Sequence, residues 1–167
     1  MDAIVSTPRL LLRPLTVADA PDVFELNSNE EVMKYTGQPL MQSIDEAVNF
    51  LTYYSDYETY GYGRWACVLK DTGEFIGVFG LRYFDFANEV DIGGLFKPAF
   101  WNKGYAKEAA KGCINYGFEV LKLKVISGKC SAQNIASIKI MESLGMVCQK
   151  QYYSGDVKVL YYSITPA

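Results

Sequence analysis

Apolar residues recur with two different periods along the chain, and the change of period marks the elements. "RLLLRPL", residues 9–15, reads as a strand closed by Pro14. Thr16 and Asp19 then stand three apart in a capping-box pattern, which predicts a helix to about Leu26. Ser43 and Glu46 repeat that signal, and Ile44, Ala47, Val48 and Leu51 keep the spacing of one apolar helix face. From Arg64 the period drops to two: "RWACVLK" and "FIGVFGLRYF" flank the turn-rich "DTGE" and predict a hairpin. "EVDIGGLF" follows as another strand, with Val90 and Ile92 on one face and Glu89 and Asp91 on the other. Its Gly93-Gly94 pair predicts a bulge or a close approach of a ligand to the backbone.

The helical period returns from about Lys103 to Leu121. Lys103, Lys107, Lys111, Asn115 and Glu119 form a polar stripe, and Ala106, Ala110, Cys113, Gly117 and Val120 the face expected to be buried. "LKVISGKC" reads as a strand, and Asn134 caps a short helix with inner face Ile135, Ile138 and Met141. Gly145 supplies the left-handed stop, and "VCQKQYYSGDVKVLYYSI" closes the chain as a hairpin around Ser154 to Asp156. The order is strand, two helices, three strands, helix, strand, helix, two strands, with no linker or repeat. An α+β chain forming one domain over residues 8–166 is expected, and residues 89–130 form a strand-helix-strand crossover.

Composition narrows the chemistry. At 167 residues with half of them hydrophobic, the chain is long enough to support a real core. The net charge of -3 and pI near 5.0 argue against direct nucleic-acid binding. Cys67, Cys113, Cys130 and Cys148 lack CxxC spacing and fit free buried thiols, pointing to a reducing cytoplasm. With no histidine, Ser-His and Cys-His nucleophiles are excluded and no metal site is expected. No apolar run approaches a membrane span, and no export leader is visible.

One local feature runs against the acidic whole. Lysines oppose the partial positive charge at a helix start, yet Lys103, Lys107 and Lys111 occupy the first turns of the predicted helix. A glycine-containing turn between strand and helix can aim free N–H groups at phosphate oxygens, and Gly104 sits at that position. The plainer alternative is that Asn102 caps a surface helix with solvated lysines, partly compensated by Glu108. GxGxxG and GxxxxGKS are absent, so a dinucleotide fold or P-loop draws little support.

Trp101-Asn102-Lys103-Gly104-Tyr105-Ala106 resembles the acyl-CoA signature of the GNAT N-acetyltransferase superfamily, Q/R-x-x-G-x-G/A. "TPRLLLRPLTVADA", "VDIGGLF" with Pro98, and "NIASIKIMESLGM" are similar to its ribosomal-protein-alanine N-acetyltransferase branch, so the likeness covers nearly the whole chain. The resemblance implies a mixed, splayed sheet of about seven strands flanked by about four helices. It implies that Leu95 and Phe96 offer main-chain contacts to the pantetheine arm of acetyl-CoA. Asn102, Lys103, Gly104, Tyr105, Ala106 and Lys107 then enclose its pyrophosphate, and Asn134 and Ser137 look towards pantetheine and sulfur. Helix capping alone also accounts for the last two. The chain departs from the pattern with Asn102 where many relatives carry glycine, and with Gly94 in place of an aromatic residue, which is expected to widen the acyl end of the cleft.

The implied reaction is direct attack of a neutral amine on acetyl-CoA, the acceptor being a small molecule or a protein N-terminus. Asp91 is the first candidate base, Glu89 the second, and Ser137 a relay for the thiol proton; the alternative for the two acids is a merely solvated strand face. "YYSDYETYGYGRW" and "NEEVMKYTG", with Glu30, Glu31 and Tyr35, are candidate acceptor walls, packing and exposed loop being the alternatives. A noncatalytic acyl-CoA sensor and a nucleotide-binding domain remain competing readings, and a monomer or homodimer is expected.

Overall fold

The computed structural model describes residues 2–167. Its eight strands are β1 (Val5–Ser6), β2 (Leu10–Pro14), β3 (Arg64–Leu69), β4 (Phe75–Phe84), β5 (Glu89–Phe96), β6 (Ile126–Ser131), β7 (Val147–Ser154) and β8 (Val157–Ile164). They form one sheet in the order β1-β2-β3-β4-β5-β6-β8-β7. Neighbours are antiparallel except β5 and β6, which run parallel because the helix between them carries the chain back across the sheet. The helices are α1 (Ala20–Asn27), α2 (Glu30–Met33), α3 (Ile44–Thr52), α4 (Asp56–Tyr60), α5 (Tyr105–Glu119) and α6 (Ile135–Ser143). The α+β architecture is the expected one. β1, α2 and α4 are additions, each too short to leave a periodic signal in the sequence.

Alternation along the strands sends neighbouring residues to two cores. Trp65, Cys67, Phe79 and Leu81 pack with Ala109, Ala110, Cys113 and Ile114 of α5, while Ala66, Val78 and Leu95 face Ala20, Val23 and Leu26 of α1 and Ala47 and Leu51 of α3. The α1 start follows the capping-box expectation: the Thr16 N–H donates to Asp19 at 2.8 Å, and Arg13 adds two bonds to the same carboxylate at 2.8 and 2.9 Å. Burial pushes the Asp19 carboxyl up, but these donors outweigh it and hold the group below its ordinary range.

Four side-chain expectations change. Val120, expected on the buried face of α5, is 60% exposed because α5 ends at Glu119. Ile135, expected inside, is 55% exposed at the first turn of α6, whereas Met141 further along the same expected face is buried. Cys67 and Cys113 are buried thiols, but Cys130 is half-buried and Cys148 exposed on the edge strand β7. No bulge forms at Gly93-Gly94: β4 and β5 stay in register through Gly80↔Gly93 and Phe79↔Gly94. A Cβ at Gly94 would lie 2.0 Å from the Val78 carbonyl oxygen and 2.6 Å from Phe79 Cα, so glycine is required there by the neighbouring strand. Gly94 is thus set by sheet packing rather than by the width of a cleft.

Candidate active site

The opening between strands comes from divergence. β5 is paired with β4 from Phe84↔Glu89 to Gly77↔Phe96, yet its register with β6 is recorded at Asp91↔Ser127 alone. Beyond that rung the two parallel strands part, and the C-terminal half of β5, with Leu95 and Phe96, presents a free edge. The Phe96 side chain is buried, so only its main chain is offered, and its carbonyl already accepts a 2.7 Å bond from the Trp101 indole N–H. Trp101 thereby ties the end of β5 to the turn that starts α5.

That turn is built from left-handed residues. Asn102 has φ 60° and Gly104 φ 84°, and asparagine is among the few residues besides glycine that take this conformation readily. This explains how Asn102 replaces glycine, and it rules out the plainer alternative in which Asn102 caps the helix: the N-cap residue is Gly104, and no side chain caps α5. The first helical bond runs from the Glu108 N–H to the Gly104 carbonyl at 3.0 Å. The N–H groups of Tyr105, Ala106 and Lys107 therefore have no helical acceptor.

The side chains around the turn divide by role. Lys103, Lys107 and Lys111 are exposed, with the Lys103 ammonium 5.7 Å from the Phe100 ring. Tyr105 and Ala106 are half-buried, and the Tyr105 ring packs on Phe100 and under Arg9, so Tyr105 offers its N–H rather than its hydroxyl. Glu108 does not compensate the lysines. It accepts 2.6 Å and 2.7 Å bonds from the Thr7 hydroxyl and Arg9 N–H and a 2.7 Å ion pair from the Arg9 guanidinium. Burial raises its pKa, but those donors prevail and lower it. The helix start is left with exposed lysines, free N–H groups and no uncommitted anion.

The other helix beside the cleft is closed. The Asn134 side chain accepts from the Ser137 N–H at 3.2 Å, which is the capping alternative realised. The Ser137 hydroxyl has no protein partner among the described residues and sits half-buried at the third position of α6.

On the sheet face opposite α5, Asp91 and Glu89 are not the solvated pair of the plainer alternative. Asp91 is 8% exposed and pairs with Arg64 through Oδ2 at 3.0 Å. The guanidinium also donates to the Gly80 and Asp91 carbonyls at 2.6 and 3.2 Å. Asp91 Oδ1 is buried with no partner among the described residues. Burial pushes this carboxyl above its ordinary range, and Arg64 offsets only part of the rise. Glu89 differs: it pairs with Lys129 and accepts a 2.7 Å bond from the Tyr161 hydroxyl. Burial raises its pKa, but these partners outweigh burial and bring it below the ordinary value. One acid is strained towards protonation and has an unused oxygen, while the other is locked as an ion pair.

The tyrosine tract is mostly structural. The Arg64 N–H donates to the Tyr54 hydroxyl at 2.8 Å, and the Tyr57 hydroxyl accepts from Leu15 N–H at 3.0 Å while donating to the Arg64 carbonyl. Burial pushes Tyr54 up to about 12 and Tyr57 further up. Both rings brace the strand residue that holds Asp91. In "NEEVMKYTG", Asn29 caps α2 by accepting from the Glu31 and Val32 N–H groups, while Glu30, Glu31 and Tyr35 are exposed. Arg9, Arg64 and Lys129 leave no site signal in the sequence because each acts on a residue far along the chain.

Among the described residues no helix is long and apolar enough to cross a membrane, and no group of His, Cys, Asp and Glu is placed to hold a metal ion. The model of the acetyltransferase (GNAT) domain matches residues 9–147. The uncharacterized N-acetyltransferase YoaA of Bacillus subtilis is 33% identical over 147 residues, 87% of this chain and 83% of that protein. Among solved structures, a GNAT-family acetyltransferase from Bacillus anthracis superposes with a TM-score of 0.85 at 27% identity, over 96% of this chain and 97% of that one. Spermidine N-acetyltransferase from Vibrio cholerae, solved with CoA and spermine, shares the fold with a TM-score of 0.79 at 21% identity, over 93% and 95% of the two chains. On its matched domain and its relatives, the chain belongs to the GNAT acetyltransferase family and is an N-acetyltransferase.

Proposed function

We propose that the protein transfers acetyl from acetyl-CoA to a primary amine by direct attack in a ternary complex, the amine being that of a small molecule or a protein N-terminus. The observation that carries this reading is the uncapped start of α5, where free N–H groups of residues 105–107 stand among uncompensated lysines beside the free edge of β5. The CoA diphosphate binds that turn through main-chain N–H groups and Lys103 and Lys107, where dipole and charge both favour an anion. The pantetheine arm follows Leu95 and Phe96 into the gap between β5 and β6.

The thioester is thereby brought to the last rung of the parted strands. Attack by the amine forms the C–N bond, and a main-chain N–H on the free edge of β5 steadies the oxyanion. Asp91 accepts the amine proton through Oδ1, directly or through one water; its raised pKa brings it closer to the α-amine range of about 7.7–8.0 than an ordinary carboxyl. Glu89 then positions Lys129 and Tyr161 along the acceptor side rather than acting as base. The C–S bond breaks, and the CoA thiolate takes up a proton relayed by Ser137. Asn134 holds the start of α6 so that this hydroxyl faces the sulfur.

A thiol-release screen tests the reaction, with acetyl-CoA offered against N-terminal peptides, polyamines, aminoglycosides and amino acids beside an enzyme-free control. Amine-dependent release of free CoA is expected in one class. Binding of CoA with no release in any of them would leave a carrier-binding module and sink the catalytic reading.

A further inference from the structure

"TPR", residues 7–9, belongs to the stretch that resembles the family, yet no step above uses it. It forms the turn between β1 and β2 and docks on the first turn of α5. Thr7 accepts from the Leu10 N–H at 3.0 Å and donates to Glu108 at 2.6 Å, which shapes the turn and fixes the carboxylate in one contact. Arg9 then spends its guanidinium in three directions. Nε donates to Glu108 at 2.7 Å, Nη1 donates to the Lys103 carbonyl at 2.9 Å, and the plane lies 4.2 Å from the Tyr105 ring centre. A Cβ at Gly104 would come within 3.2 Å of Nη2, so the guanidinium sits directly against the turn.

The bond to the Lys103 carbonyl has a geometric consequence. In a trans peptide the C=O and N–H point in opposite directions, so drawing that carbonyl towards Arg9 aims the Gly104 N–H away from Arg9, on the side opposite the clamp. The turn carries left-handed Asn102 and Gly104, and a glycine that tolerates this conformation is equally free to take others, so the turn is ordered only if its neighbours select one form. We propose that Arg9 is a positioning residue for the cofactor: with Thr7 and Glu108 it locks the Asn102–Gly104 turn in its anion-receiving form before the diphosphate arrives. The proposal rests on the reading of that turn as the diphosphate site. Preorganisation of this kind appears as affinity, because the ordering cost is met during folding instead of during binding. A lysine at position 9 keeps the charge but cannot serve Glu108 and the Lys103 carbonyl together from a planar fork.

The test compares two ligands in wild type, Arg9→Ala, Arg9→Lys and Glu108→Gln: CoA, by calorimetry, and pantetheine, which lacks the diphosphate, by ligand-observed NMR. Arg9→Ala is expected to weaken CoA about tenfold while changing pantetheine less than about twofold. Arg9→Lys is expected to lose most of the same affinity, and Glu108→Gln part of it, with the same selectivity for CoA. If both ligands lose equally in the soluble variants, Arg9 is a general packing residue and the proposal fails. If the variants keep the wild-type affinity for CoA, the turn needs no clamp and the proposal fails alone. If wild type itself binds CoA no better than pantetheine, the diphosphate reading of the turn falls, and this proposal with it.

Discussion

The two long sides of β5 differ sharply. Towards β4 the strand is zipped from end to end, so closely that Gly94 has no room for a methyl group beside the Val78 carbonyl. Towards β6 one rung, Asp91↔Ser127, is followed by separation. The closed side supplies rigidity and the open side supplies unpaired main chain. The same contrast repeats at the helices: α6 starts with its Ser137 N–H capped by the Asn134 side chain, whereas α5 starts with no side-chain cap. Unsatisfied backbone groups and cations gather on the open side, which is where an anionic carrier has something to gain.

Breaking the closed side should cost most. Gly94→Ala forces backbone apart and is expected to lower unfolding stability by about 3 kcal/mol in denaturant titration. Gly93→Ala meets the end of the Arg64 side chain, with Nη2 nearest at 3.3 Å, and is expected to cost less than about 1 kcal/mol. Equal costs would mean that β4 and β5 are not as tightly apposed as described.

At the rung where the sides meet, Asp91→Asn is expected to reduce kcat about a hundredfold with CoA affinity retained. In wild type, kcat/KM should fall on acidification through a pKa above the ordinary carboxylate range, and that acid limb should vanish in the variant. The sign for stability is opposite. A carboxyl whose folded pKa is raised contributes stability below its unfolded pKa, and this contribution is lost as pH rises through the folded value. Near neutral pH, Asp91→Asn therefore relieves that part of the cost, while the lost Arg64 pairing opposes it. A pH–rate profile and melting curves taken at several pH values separate the two.

On the open side, Lys103→Glu combined with Lys107→Glu is expected to raise the acetyl-CoA KM about tenfold, with helix content by circular dichroism unchanged. An unaltered KM would make these lysines simple surface groups. The smallest effect belongs to the capped helix. Asn134→Ala is expected to cost about 1 kcal/mol of stability and to change the acetyl-CoA KM little, because the side chain is already engaged with Ser137; a large KM change with no stability loss would instead make it a direct cofactor contact.

Local patterns in the chain foretold the elements that rest on local physics. The helices at Ser43, Lys103 and Asn134 were visible from caps and apolar spacing, and the hairpin at "DTGE" from its turn residues. Boundaries drifted where tertiary packing decides: α5 stops at Glu119 and leaves Val120 in solvent, and Ile135 lies outside a helix whose apolar spacing placed it inside. The short β1, α2 and α4 exist because the rest of the fold holds them. The tyrosines of the tract before β3 show why residue type alone is ambiguous, since two of their hydroxyls are consumed by main-chain bonds at Leu15 and Arg64.

Gly104 and the lysine series were legible as a place for an anion because a helix start, a residue without Cβ and clustered charge are all properties of adjacent residues. The sequence by itself determined that much, together with the α+β order and the absence of histidine chemistry. Tertiary structure alone decided that Glu108 is spent on Thr7 and Arg9, about a hundred positions away, and so does not neutralise the lysines. It also decided that Asp91 and Glu89, two apart on one strand face, differ in character. Arg64 comes from β3 and Lys129 from β6, and a carboxylate's proton affinity is set by whichever charges the fold brings beside it and by the water it removes.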